Sequence, residues 1–198
     1  MLKNLVFIVK AKQDFIRYSG DEKKKNAPLL NSLFESISEI YIPLLKMFEV
    51  LEKDNIPCKI GLVLPPLLCT LLEEPEVQDM YLEYQKKQIQ LGAAELQRCS
   101  DNTNIVENIH GIIRNIEQLK TDFVEKYNKN LIKAFSDNMK KGYIELLATC
   151  GTDIFLPHFA DMKEIISAQI ETGLHAYKQV FGEIPDGFWL PELGYRPG

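Results

Sequence analysis

Tyr143-Ile-Glu-Leu-Leu-Ala-Thr149 is followed, after a loop, by an amphipathic segment over residues 162–181 and then by Gly187-Phe-Trp-Leu190. The first and third stretches are short and apolar, whereas the middle one has apolar residues at helical spacing. Gly182 stands where a helix of this span would end. A strand, a helix and a second strand in this order predict two parallel strands joined by a right-handed crossover.

Two earlier apolar runs extend this pattern. Residues 5–9 and 59–64 are short and rich in aliphatic side chains. Both are predicted to be strands, and the first is expected to be buried on both faces. Four short strands separated by helices predict a parallel sheet and therefore an α/β fold.

The segments between these strands carry helical signals. Ser32-Leu-Phe-Glu35 has the spacing of a capping box, and the helix behind it is expected to kink at Pro43. Pro75 predicts the start of another helix, and apolar positions recur at helical spacing over residues 104–135. A long helical insertion is therefore predicted at about residues 75–140.

Composition excludes several classes of protein. The chain has 198 residues, of which 45% are apolar and 26% charged, as in soluble globular proteins. A formal net charge of −5 disfavours nucleic acid as a partner, because an acidic surface repels phosphates. The longest apolar stretch, residues 60–72, is too short and too interrupted by proline to span a bilayer. The four cysteines lack metal-ligand spacing, so we expect a cytoplasmic protein with reduced thiols and no metal site.

The chemistry of a parallel α/β fold lies on loops at the carboxyl ends of its strands. The last predicted strand runs into Trp189-Leu-Pro-Glu192, which places the only tryptophan of the chain three residues before a carboxylate. An aromatic ring can stack on a sugar, and a carboxylate can attack an anomeric carbon. Packing and capping would explain the same residues, so this motif alone leaves both interpretations open.

The motif belongs to a longer segment with a family resemblance. Phe181-Gly-Glu-Ile-Pro-Asp-Gly-Phe-Trp-Leu-Pro-Glu-Leu-Gly-Tyr-Arg-Pro-Gly198 resembles the nucleophile segment of glycoside hydrolase family 57, which runs approximately FGxxPxGxWLPECAYRPG. Leu33-Phe-Glu-Ser-Ile-Ser-Glu-Ile-Tyr-Ile-Pro-Leu-Leu45 is similar to LFEAITETYIPLL of that family, and Pro65-Pro-Leu-Leu-Cys-Thr-Leu-Leu72 to PPLLxxL. The matches follow the family's order and cover essentially the whole chain. The group that they resemble most is the 1,4-α-glucan branching enzymes.

The resemblance implies that residues 1–198 are the N-terminal part of an incomplete (β/α)7 barrel that transfers α-glucan chains with retention. Glu192 matches the family's nucleophile, while a second carboxyl group protonates the leaving oxygen. That second group, an Asp in the family, comes later than the segment matched here. The implied partners are α-1,4-glucans such as amylose and glycogen, and no metal or cofactor is implied. Trp189 and Tyr195 are the expected sugar-contacting aromatic residues.

Three expected substrate-binding positions depart from the family's pattern. In place of HAHLPY the chain has Lys10-Ala-Lys-Gln-Asp-Phe15, so Lys10 and Lys12 replace two histidines that contact sugar. In place of ATHGYLP it has Gly151-Thr-Asp-Ile-Phe-Leu-Pro157, so Asp153 replaces a third. An imidazole both donates and accepts hydrogen bonds, whereas an ammonium only donates. A chain with these replacements and without the acid is expected to be nearly inactive alone.

Two alternatives stand beside catalysis. In the first, the chain is a non-catalytic glucan-binding pseudoenzyme. In the second, it is a truncated structural remnant whose motif residues only pack. Four parallel strands of a larger barrel would leave sheet edges and apolar surface exposed. The remnant hypothesis therefore predicts self-association through those edges.

Overall fold

A computed structural model of the chain describes residues 5–16 and 27–197. The described residues form two compact units, one of residues 5–15, 48–71 and 132–197 and the other of residues 16, 27–47 and 72–131. The strands are β1 Ile8–Lys10, β2 Ile60–Val63 and β3 Ile144–Leu147. The α-helices are α1 Ala27–Ser36, α2 Ile42–Lys53, α3 Pro66–Glu73, α4 Pro75–Arg98, α5 Thr103–Thr121, α6 Leu131–Lys140 and α7 Lys163–Phe181. None of the helices in the described ranges is long and apolar enough to cross a membrane.

The first unit is organised by a parallel sheet in the order β1-β2-β3. Val63 lies opposite Lys10 on one side and Leu147 on the other, so the three strands end level with one another. The predicted fourth strand is reduced to one parallel bridge, between Ala148 and Phe188. The strand ends that were expected to carry the chemistry therefore lie along one edge of this unit.

Burial differs between the middle and the edge of this sheet. Val63 in β2 and Ile144 in β3 are at most 1% exposed, whereas Leu5 and Val6 before β1 are 78% and 74% exposed. The expectation that residues 5–9 are buried on both faces is wrong. Among the described residues β1 pairs only with β2, so the apolar side chains of this edge are not covered.

The second unit is helical, and its first helix departs from the predicted start. Ser32 lies inside α1, where its carbonyl oxygen accepts a hydrogen bond from Ser36 Oγ at 2.9 Å, so the predicted capping box is wrong. The kink expected at Pro43 takes the form of a π-helical turn over Ile37–Tyr41. Proline lacks an N–H group and its ring crowds the carbonyl four residues before it, and a widened turn relieves that conflict.

The helical period predicted over residues 104–135 is also interrupted. After α5 the chain makes a second π-helical turn over Asp122–Lys126. Asn128 and Lys129 then adopt left-handed backbone angles, with φ of 49° and 58°, before α6 begins. Turn residues therefore end a helix that the apolar spacing alone would have continued.

Helix α7 lies very close to the end of β3. A Cβ atom added at Gly173 would stand 1.8 Å from the backbone oxygen of Thr149, a distance that no side chain could occupy. One turn later, the buried Tyr177 hydroxyl donates a hydrogen bond to the carbonyl oxygen of Leu146 at 3.2 Å. The helix ends as predicted at Gly182, whose φ of 80° and ψ of 0° suit a left-handed cap.

Gly173→Ala should destabilise the chain by more than about 2 kcal/mol, because the added methyl group forces α7 away from Thr149. Urea unfolding followed by circular dichroism measures the effect. Gly111→Ala is the matched control, since nothing lies within 4 Å of its added Cβ in α5. The control should gain up to about 1 kcal/mol from helix propensity. Equal midpoints for the two variants would contradict this account of the contact.

Tyr177 should make stability depend on pH above neutrality. Burial, with smaller contributions from Glu183, Asp186 and Glu145, raises the pKa of Tyr177 from 10.0 to about 12. The folded state holds the Tyr177 proton more tightly than the unfolded state does, so the protonated hydroxyl stabilises the fold. This stabilisation is complete below pH 10 and is lost as the pH rises towards 12. The free energy of unfolding of Tyr177→Phe should therefore fall less steeply between pH 10 and 12 than that of the unchanged chain. Parallel curves for the two proteins would show that Tyr177 does not contribute.

Candidate active site

Three charged side chains meet at the level ends of the strands in the first unit. Lys10 is the last residue of β1, Asp153 lies in the loop after β3, and Glu192 follows the Phe188 bridge by four residues. Lys10 Nζ lies 2.5 Å from Asp153 Oδ1 and 3.5 Å from Glu192 Oε1. We call these three residues the ion-pair cluster. The predicted proximity of Glu192 to the ends of the first and third strands is thus present.

The two carboxylates of the cluster share a single ammonium group. Since each lies close to the same nitrogen, their nearest oxygens are no more than about 6 Å apart, a distance at which like charges repel appreciably. Lys10 compensates this repulsion from a position where its side chain is only 16% exposed. The cluster therefore carries two negative charges and one positive charge at the carboxyl ends of the strands.

Glu192 has an unusual backbone. It adopts φ 51° and ψ 23°, and Leu193 after it also has a positive φ, of 54°. The turn is closed by hydrogen bonds from the Leu193 N–H to the Leu190 oxygen and from the Gly194 N–H to the Pro191 oxygen. Consecutive left-handed residues other than glycine are strained, and such strain clusters at functional sites. This turn presents the Glu192 side chain, which is 49% exposed, to solvent.

Helix α7 holds the loop that carries Asp153. The Gly151 N–H donates to the backbone oxygen of Gln169 at 2.8 Å, and the Thr152 N–H donates to Gln169 Oε1 at 2.9 Å. The Thr152 hydroxyl is a further donor to that oxygen, at 3.1 Å. Cys150, at the base of the loop, is fully buried. Its burial, together with the charge of Asp153, raises the pKa of the Cys150 thiol, which therefore stays protonated and unreactive at neutral pH.

The remaining predicted site residues lie outside the ion-pair cluster. The Trp189 backbone N–H donates to Ala148 at 2.7 Å, and its carbonyl oxygen accepts from the Thr149 hydroxyl at 2.9 Å, so its backbone supports the site. Tyr195 is 74% exposed. Lys12 is exposed and lies outside the ion-pair cluster.

Tyr195 forms part of an open groove of about 480 Å³ beside the Glu192 turn. Leu190 and Arg196, which flank that turn in sequence, also line the groove. Apolar side chains from α7 and from the 3₁₀ turn Leu156–Phe159 supply much of the rest of its wall. A groove lined by an aromatic ring, apolar side chains and an arginine is a surface on which a sugar could bind.

Sequence reasoning missed three supporting residues: Thr149, Gln169 and Gly173. The one available signal was Gly173, a glycine inside a predicted helix. A glycine there weakens the helix, so its presence indicates that close packing requires it. The role of Gln169 depends on a contact between separate segments and has no local signal. Within the described ranges no group of three or more His, Cys, Asp or Glu side chains could hold a metal ion.

Comparisons with known proteins agree on one family. The model of Glycosyl hydrolase family 57 matches residues 6–198. A 1,4-alpha-glucan branching enzyme from Thermococcus kodakarensis is 30% identical over 165 residues, which are 83% of this chain and 24% of that enzyme. The chain therefore spans about a quarter of the length of this curated relative.

Crystal structures show the same similarity in three dimensions. A branching enzyme from Pyrococcus horikoshii superposes with a TM-score of 0.85 at 25% identity, over 97% of this chain and 35% of that one. An alpha-amylase from Thermotoga maritima gives a TM-score of 0.83 at 26% identity, over 98% and 36% of the two chains. The T. kodakarensis branching enzyme, in complex with glucose, gives 0.82 at 26% identity, over 97% and 33%.

Gln169→Met should loosen the Asp153 loop while leaving the backbone bond from Gly151 in place. The variant removes the acceptor of both Thr152 donors, so the Thr152 amide should exchange with solvent deuterium faster, by about tenfold. Amide exchange followed by NMR measures this rate. Glu171→Gln, which alters a solvent-exposed residue of the same helix, is the control and should leave Thr152 unchanged. Unchanged exchange in both variants would show that Gln169 does not hold the loop.

Proposed function

Because the chain belongs to glycosyl hydrolase family 57, we propose that it supplies the nucleophile carboxylate, Glu192, for retaining transfer of α-1,4-glucan chains. The predicted fold class is confirmed: the chain has an α/β fold that matches the N-terminal portion of the family's (β/α)7 barrel. We propose further that residues 1–198 form one portion of this barrel, with a helical insertion at about residues 75–140.

One observation carries the assignment of Glu192. Its carboxylate stands half exposed on a strained turn at the strand ends, within 3.5 Å of a side chain from β1. A nucleophile must be accessible to the anomeric carbon and held by its backbone, and this turn meets both needs. Glycosyl transfer would form a bond from a Glu192 oxygen to the anomeric carbon as the bond to the leaving oxygen breaks.

The chain by itself covers only 24% to 36% of the relatives reported above. The general acid is expected outside the matched segment, and acid assistance typically contributes about 10²–10⁴-fold. We therefore propose that the chain alone transfers natural glucans very slowly or not at all. Branching activity belongs to this proposal only as the activity of a complete barrel.

Binding without turnover is the second candidate, and the groove at Tyr195 favours it. The groove offers an aromatic ring and an apolar wall, and its lining includes Leu190 and Gly194 on either side of Glu192 in sequence. Such a lining suits an α-glucan whether or not bond cleavage follows. The exposed edge at residues 5–9 supports a further part of the proposal, self-association of the chain. The described residues contain no disulfide bond, which agrees with the proposed cytoplasmic location.

A substrate with a good leaving group should label Glu192 without help from an acid. With 5-fluoro-α-D-glucosyl fluoride, the bond from carbon 1 to fluorine breaks, a Glu192 oxygen bonds to carbon 1, and fluoride departs. The proposal predicts one glycosyl adduct per chain at Glu192, located by peptide mass spectrometry. Light scattering beforehand identifies the monomeric fraction used.

Glu192→Gln is the matched control and should not be labelled. Calorimetry with maltoheptaose separates the remaining outcomes, since binding without labelling would support the glucan-binding candidate alone. Absence of both labelling and heat would overturn both candidates and leave the structural remnant.

A further inference from the structure

We propose that Asp153 is a positioning residue that draws the Lys10 ammonium away from Glu192 and so keeps the Glu192 carboxylate free to meet a sugar. The inference rests on the proposed role of Glu192 as the nucleophile. It concerns how the ion-pair cluster divides one positive charge between two carboxylates.

The two contacts of Lys10 are unequal. The contact with Asp153 at 2.5 Å is a close ion pair. The contact with Glu192 is a hydrogen bond donated by the Lys10 ammonium, but at 3.5 Å it is longer than the roughly 2.7–2.9 Å that charge-assisted hydrogen bonds adopt. Exposure follows the same order, since the Asp153 side chain is 24% exposed and that of Glu192 is 49% exposed. The ammonium therefore lies closer to Asp153, the more buried of the two carboxylates.

The supporting contacts explain this preference. The two residues before Asp153 are hydrogen-bonded to Gln169, and their loop begins where Gly173 packs against Thr149. Helix α7 thereby holds the loop in a position from which Asp153 reaches Lys10.

Removing the Asp153 charge should leave the ammonium with Glu192 as its remaining carboxylate in the cluster. A tighter pair would occupy the oxygen lone pairs that must attack the anomeric carbon, so Asp153→Asn should make Glu192 less reactive. The double variant Lys10→Met with Asp153→Asn removes both charges, so Glu192 should be more reactive in it than in Asp153→Asn. Loss of Lys10 alone is a poor test, because it would leave two carboxylates repelling each other.

Zero-length crosslinking with a water-soluble carbodiimide tests this division of charge without any sugar. The reagent joins an amine to a touching carboxylate as an amide, and peptide mass spectrometry identifies the pair. In the unchanged chain the Lys10–Asp153 amide should predominate, although Glu192 is the more exposed carboxylate. In Asp153→Asn the Lys10–Glu192 amide should increase at least fivefold. A predominant Lys10–Glu192 amide in the unchanged chain, no amide from Lys10 at all, or no increase in the variant would overturn the proposal.

Labelling by 5-fluoro-α-D-glucosyl fluoride gives the functional readout. Asp153→Asn should be labelled about tenfold more slowly, the effect of one strengthened charge-assisted hydrogen bond, and the double variant should be labelled faster than Asp153→Asn because no ammonium remains to pair with Glu192. A purely structural role for Asp153 would slow both variants alike and would overturn the proposal. The expected crosslinks with no labelling in any protein would overturn the nucleophile role of Glu192 while upholding the assigned division of charge.

Discussion

The contact of helix α7 with the end of β3 is the constraint on which the candidate site depends. Because Gly173 has no side chain, the helix reaches the backbone oxygen of Thr149 and brings Gln169 to the loop beyond it. The Thr149 hydroxyl in turn bonds the carbonyl oxygen of Trp189, which precedes the Glu192 turn. One close backbone approach thus positions the loops that carry Asp153 and Glu192.

The parallel register adds the third member of the cluster. Lys10 and Leu147 both lie opposite Val63, so the end of β1 stands level with the end of β3. The ammonium of Lys10, at the end of β1, therefore reaches the carboxylates of Asp153 and Glu192 on the two later loops. The site is a consequence of level strand ends, as in other parallel α/β folds.

Two of the departures from the family's pattern are partners in the structure. Lys10 and Asp153 each stand where a family histidine is expected, and they form the shortest contact of the ion-pair cluster. A cation and an anion that replace two neutral imidazoles leave the net charge of the site unchanged. In the proposed role of Glu192, this pairing keeps the Glu192 carboxylate accessible to a sugar.

The sequence by itself determined the α/β class, strand β3 and helix α7 of the C-terminal third, the helix start at Pro75 and the residues to be expected at the strand ends, because these depend on local periodicity and ordered motifs. It placed the capping box wrongly at Ser32, because α1 begins before that residue, and it continued a helix through residues 128 and 129, which adopt left-handed turn angles. It overestimated the burial of residues 5–9, because burial depends on neighbours distant in sequence. Tertiary structure alone decided which carboxylate holds Lys10, since the 2.5 Å and 3.5 Å contacts result from the packing of α7 against β3.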